Sequence, residues 1–163
     1  MTEPFLLSRL LEAPRERVWQ AWTDPEHLKH WWGPKGFTVE KLTLDLRPGG
    51  LMHYWLRAPD GFALWGRFRF LEIVRPERLV WVNSFSDPEG GVTTHPMSPD
   101  WPRELHSTAT FEEQGNKTLL TVRWLPLEGT PQEQVRTFDQ GRQSMTMGWS
   151  GTMEQLTAYL ARG

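Results

Sequence analysis

The chain has 163 residues, no cysteine and a formal net charge of −2. These values exclude disulfides, thiolate-bound metals and cysteine catalysis, and they leave no concentrated basic face for nucleic acid. A chain of this length buries about 68–70% of its unfolded surface without a staple, no stretch reaches the roughly 20 apolar residues of a membrane helix, and Met1-Thr2-Glu3-Pro4 lacks the segments of a secretory signal, so the reading is one cytoplasmic domain over 1–163, with no nucleic-acid partner and no membrane insertion.

In chain order, Phe5 to Glu12 reads as a short apolar strand. Pro14 opens a helix, where its missing N–H costs nothing, and Val18, Ala21 and Trp22 recur at helical spacing. Thr23-Asp24-Pro25 ends that helix and restarts another, because Asp caps and Pro suits the first turn. The second helix carries Leu28 and Trp31 and stops at Gly33-Pro34. Phe37 to Arg47 is a strand in which Phe37 and Val39 have one parity and Leu42, Leu44 and Leu46 the other, so a bulge is expected near Glu40. Turns at Pro48-Gly49-Gly50, Pro59-Asp60-Gly61 and Arg75-Pro76-Glu77 separate strands over Leu51 to Ala58, Phe62 to Val74 and Arg78 to Phe85. Ser86 to Arg103 is irregular and proline-rich, a length of loop that usually has a task; with Met97 and Trp101 in it, it is expected to cover a cavity mouth or to touch a second subunit. A last hairpin joins Leu105–Glu113 to Lys117–Leu125. Pro131 to Ala161 reads as one long helix whose face is Phe138, Met145, Trp149, Met153, Leu156 and Leu160, weakened inside by Gly148 and Gly151. Successive hairpins make an antiparallel meander with one face to bury, and the long helix is the element large enough to cover it. The fold class is therefore α+β, a curved sheet of about six to seven strands wrapped round a C-terminal helix.

Several short motifs in this order carry a family resemblance. Ala13-Pro14-Arg15-Glu16-Arg17-Val18-Trp19-Gln20-Ala21-Trp22-Thr23-Asp24-Pro25 resembles the opening of START-like (SRPBCC) proteins of the activator of heat-shock protein 90 ATPase homologue type. Trp31-Trp32-Gly33-Pro34, Arg47-Pro48-Gly49-Gly50, Pro59-Asp60-Gly61, Pro76-Glu77-Arg78-Leu79-Val80 and Gly148-Trp149 are similar to the same family. The resemblance implies the helix-grip fold, with a cavity between sheet and helix. It implies that Met52, Tyr54 and Leu56 point inward beside Phe68, that Met145 and Trp149 face them from the helix, and that Trp32 closes one end. His106 is expected at the mouth. Ligand-binding candidates are thus Trp32, Met52, Tyr54, Leu56, Phe68, His106, Met145 and Trp149.

No catalytic residue, metal or cofactor is assigned. Gly148-Trp149-Ser150-Gly151 is not a nucleophile elbow, since Thr152 occupies the second required glycine, and no phosphate loop or dinucleotide fingerprint is present. His27 and His30 have a spacing that can bind metal but no third ligand. The superfamily holds lipid carriers, polyketide cyclases, resistance and stress proteins and co-chaperones, so function rests on the site. The primary reading is a carrier for a small hydrophobic molecule, with a homodimer and a chaperone as further partners. The alternatives are a cyclase- or aromatase-like enzyme using Tyr54 or His106, and a co-chaperone. The eukaryotic activators of the family carry a separate N-terminal domain, whereas this chain begins on the first strand. Arginine exceeds lysine and Ile73 is the only isoleucine, a bias of GC-rich bacterial coding.

Overall fold

The structure, a computed structural model, describes residues 2–162. Strand β1 (Phe5–Leu11) leads to helices α1 (Arg15–Thr23) and α2 (Pro25–Leu28); β2 (Thr38–Leu44), β3 (Leu51–Arg57), β4 (Ala63–Val74), β5 (Arg78–Ser86), β6 (Val92–Thr93), β7 (Leu105–Gln114) and β8 (Lys117–Pro126) follow, then α3 (Gln132–Gln140) and α4 (Arg142–Ala161). The sheet runs β1-β8-β7-β5-β4-β3-β2, all antiparallel, with β6 an addition beyond β7 on the end of β5.

Local chemistry explains the helical corner. Thr23 Oγ1 turns back onto the Trp19 carbonyl as α1 ends. Asp24 then accepts the Glu26 N–H at 2.9 Å and caps α2, with Pro25 at its first position, where a fixed φ and a missing N–H fit best. The helix itself stops at Leu28, earlier than its sequence pattern suggests, and Trp31 and Trp32 lie in the turn beyond it. The buried Trp31 indole N–H donates to the Ala21 carbonyl at 3.0 Å, fastening that turn to α1.

The expected bulge falls between Val39 and Lys41, where Glu40 is the extra residue. Beyond it β2 and β3 are in register, and the cross-strand pairs Met52–Phe68, Tyr54–Gly66 and Leu56–Leu64 set the inner face of β3 and β4. The outer face of the same two strands carries Trp55 directly opposite Trp65, stacked at 5.3 Å and 7°, with His53 over Trp65 and Arg57 over Trp55. Strict alternation thus sorts the aromatic rings of β3 and β4 onto two faces.

The C-terminal helix differs from expectation. It is broken at Gly141, whose N–H reaches back to the Thr137 and Phe138 carbonyls while α4 begins one residue later. A Cβ at Gly141 would stand 2.9 Å from Trp101 Cζ3, so the break is where the long loop presses its indole against the helix. Gly148 and Gly151 do not bend α4. Gly151 lets the helix approach Lys35, where a Cβ would meet Lys35 Cβ at 3.2 Å, and a Cβ on Gly148 would meet nothing within 4 Å. Met153, Leu156 and Leu160 are buried against the sheet with Leu11, Phe111, Leu120 and Val122; each such side chain contributes about 1.5–3 kcal/mol by leaving water.

Candidate ligand-binding cavity

Between the sheet and α4 the packing is complete at one end and open at the other. At the closed end Trp22 meets Trp31, Trp81 and Phe111 at ring separations of 5.3, 5.9 and 5.8 Å, and Trp19 stands edge-on to Phe111 at 5.4 Å. Toward the other end lies a hollow of about 600 Å³.

Six of the eight sequence candidates line it: Trp32, Tyr54, Leu56, Phe68, Met145 and Trp149. Trp32 stands edge-on to Tyr54, Phe68 and Trp149 at 5.7, 5.3 and 5.9 Å, so one indole joins the wall of β3 and β4 to the helix. Met52 has the inward parity expected of it and is fully buried, but it does not line the hollow. His106 does not line it either. On β7 the inward residues are Leu105, Ser107 and Ala109; His106 projects from the opposite face, between Val82 and Leu125. Burial and the Arg123 guanidinium hold its pKa below the usual histidine value.

Other lining residues carry weaker sequence signals. Trp124 continues the inward alternation of Leu120 and Val122 on β8, and Asn83 that of Leu79 and Trp81 on β5, so both were open to a parity argument. His95, Ser98, Trp101 and Pro102 come from the irregular stretch after β5 and form one wall. Trp101 packs on Phe138 at 5.9 Å, and His95 on Phe85 at 4.5 Å. The loop therefore covers the hollow, although Met97 is 77% exposed and takes no part.

The wall is uncharged: among the described residues no Asp, Glu, Lys or Arg lines it. Its titratable groups are Tyr54 and His95. Burial pushes the Tyr54 phenol well above the ordinary tyrosine value, opposed by the Trp32 indole N–H beside it. Burial also lowers His95, whose Nδ1 accepts the Met97 N–H at 2.9 Å; the neutral ring then carries its proton on Nε2. Trp32, Trp124 and Trp149 all have buried indole N–H groups with no partner among the described residues. Ser107 Oγ donates to Asn83 Oδ1, which leaves the Asn83 amide N–H groups on the cavity side as donors. His27 and His30 are both engaged by Tyr159, the first by hydrogen bond and the second by stacking, and no group of three metal-ligating side chains occurs among the described residues.

A curved antiparallel sheet that grips a helix round an uncharged aromatic hollow defines a helix-grip protein. More narrowly, the chain belongs to the Activator of Hsp90 ATPase homolog 1-like protein family, which it matches over residues 12–161. Among solved structures it is similar to a protein from Arthrobacter aurescens (28% identity, TM-score 0.79, covering 98% of this chain and 87% of that one). It is similar also to a protein from Mycobacterium smegmatis (26%, 0.77, 96% and 90%). An AHSA1 protein from Silicibacter pomeroyi has the same fold at 19% identity (TM-score 0.74, 98% of each chain). No protein of curated function matches it. No helix among the described residues is long and apolar enough to cross a membrane.

Proposed function

We propose that the protein is a cytoplasmic carrier or binding protein for a small, uncharged hydrophobic molecule held between the sheet and α4. The observation that carries this reading is the hollow of about 600 Å³ with aromatic walls and no charged lining residue. Pockets of roughly 300–1,000 Å³ with mainly apolar walls and a few polar groups suit small organic ligands. Gly148 supports the same reading: a glycine inside a helix costs roughly 0.5–1 kcal/mol relative to alanine, and this one stands at the exposed rim of the hollow and eases no tight contact.

Acid–base chemistry has less support. His106 lies on the other face of its strand, and a phenol whose proton is held more tightly than usual is a poor acid and a poor base near neutrality. His95 is the group through which an enzymatic reading would have to act. Stimulation of the heat-shock protein 90 ATPase is the second reading. It rests on the family's description, and an ATPase assay with the purified chaperone tests it.

The deciding experiment is native mass spectrometry of freshly purified protein, followed by organic extraction. An uncharged apolar compound retained at one per chain is expected. A clean protein mass, together with no uptake of any apolar probe by equilibrium dialysis, would overturn the carrier reading.

A further inference from the structure

Tyr54 is held in place by a missing side chain. It lies directly across from Gly66 in the sheet, and its ring covers that residue so closely that a Cβ there would stand 2.4 Å from the phenol oxygen. The ring is thereby laid flat along the cavity wall, with Trp32 edge-on at 5.7 Å and Phe68 edge-on at 6.1 Å. The phenol is buried, and the side-chain group that faces it is the Trp32 indole N–H, which is itself a donor. The lining offers the phenol proton no carboxylate, and the buried Trp32 N–H has no partner among the described residues. Two neutral donors thus sit together in a wall that offers no cation to an anion and no carboxylate to an ammonium group.

We infer that Tyr54 and Trp32 form a neutral donor pair that selects a ligand bearing a hydrogen-bond acceptor on a ring framework, of the class of uncharged cyclic ketones and related carbonyl compounds. The inference rests on the proposed carrier function and specifies its substrate class. An acceptor oxygen takes the phenol and indole protons, and the aromatic walls take the flat ring body. A carboxylate or phosphate would be stripped of water with no cation to compensate it. A hydrocarbon of the same shape would leave the donors without a partner, which is costly in a dry site. The raised pKa of the phenol keeps it a donor across the neutral range.

The test uses three probes of one ring framework: fluorene, 9-fluorenone and fluorene-9-carboxylate. Each is measured by equilibrium dialysis against the full-length protein and against Tyr54→Phe, which keeps the ring over Gly66 and removes only the hydroxyl. In the unsubstituted protein fluorenone is expected to bind at least about tenfold more tightly than fluorene, which corresponds to ~1.4 kcal/mol, and the carboxylate to bind more weakly than either. In Tyr54→Phe the ketone-to-hydrocarbon ratio falls toward one, with the circular dichroism spectrum retained. Fluorene binding as tightly as fluorenone would overturn the donor assignment while leaving the carrier reading intact. So would a ratio that survives Tyr54→Phe, or a carboxylate that binds most tightly. Failure of all three probes to bind would overturn this inference, and together with a clean protein mass and no uptake of any other apolar probe it would overturn the carrier reading as well.

Discussion

The two ends of the space between sheet and helix are built from the same residue type and behave differently. At one end Trp19, Trp22 and Trp31 are packed to within 2% of full burial. At the other, Trp32, Trp101, Trp124 and Trp149 surround an open volume. The difference lies in what closes each end. Helices α1 and α2 push side chains into the first end and are tied down there by the Trp31–Ala21 and Asp24–Glu26 hydrogen bonds. The second end is covered by a loop whose only strand is the two-residue β6, and a loop supplies a lid more readily than a filling. Tryptophan content therefore says that there is a large apolar interior, and topology says which part of it is solid.

That contrast can be broken most forcefully at the packed end. Trp22→Ala removes the ring that touches Trp31, Trp32, Trp81, Phe111 and Trp149. It should cost about 3–5 kcal/mol, read from urea denaturation; a loss below about 1 kcal/mol would mean that this end is as loosely filled as the other. At the open end the opposite is expected of Gly148→Leu. The new side chain enters space where a Cβ meets nothing within 4 Å, so stability should stay within about 1 kcal/mol of the original or rise, since leucine favours the helix. Fluorenone affinity should fall at least about tenfold. Unchanged affinity would show that the probe sits elsewhere.

A smaller effect is expected at the lid. Gly141→Ala places a methyl group 2.9 Å from Trp101 Cζ3, an overpacking of about 1 kcal/mol. Hydrogen exchange followed by mass spectrometry should show faster exchange confined to residues 92–102, and a change confined to α3 and α4 would refute the contact. The smallest effect is the pH response. His95 and His106 both have pKa values lowered in the folded state by burial. The unfolded chain therefore binds protons more readily below the ordinary histidine pKa of about 6.5, and stability is lost as pH falls through that value toward the depressed ones. Urea midpoints should decline on acidification, and His95→Gln together with His106→Gln should flatten the decline.

Much of this arrangement is legible in the residue order. The parity change around Glu40 follows from a period of two, the helix face of Met145 and Trp149 from a period of 3.6, and the hairpin turns from Gly and Pro. The inward direction of Tyr54 and Leu56 comes from the family resemblance. The structure has the bulge beside Glu40 and brings these four side chains to one hollow. What could not be read depends on contacts between distant segments. The break at Gly141 exists because Trp101 arrives from a loop some forty residues earlier, and an isolated glycine at 141 looks no different from those at 148 and 151. His95 enters the wall through a loop without periodicity. Met52 has the right face but lies outside the lining of the hollow, since parity reports direction and says nothing about which neighbour fills the space in front. For His106, the strand starts inward at Leu105, one residue earlier than a mouth position for the histidine would need.

The bulge at Glu40 has a consequence for how the protein behaves in a crowded solution. β2 is the last strand of its edge of the sheet, and a long regular edge is a template on which other chains can add strands and aggregate. The extra residue interrupts the row of free backbone groups, and Glu40 is held there by Arg57 at 3.1 Å beside exposed Lys41. A kinked, charged margin offers an incoming strand neither a continuous ladder nor an apolar face, so the sheet can end in solvent without recruiting another copy of itself.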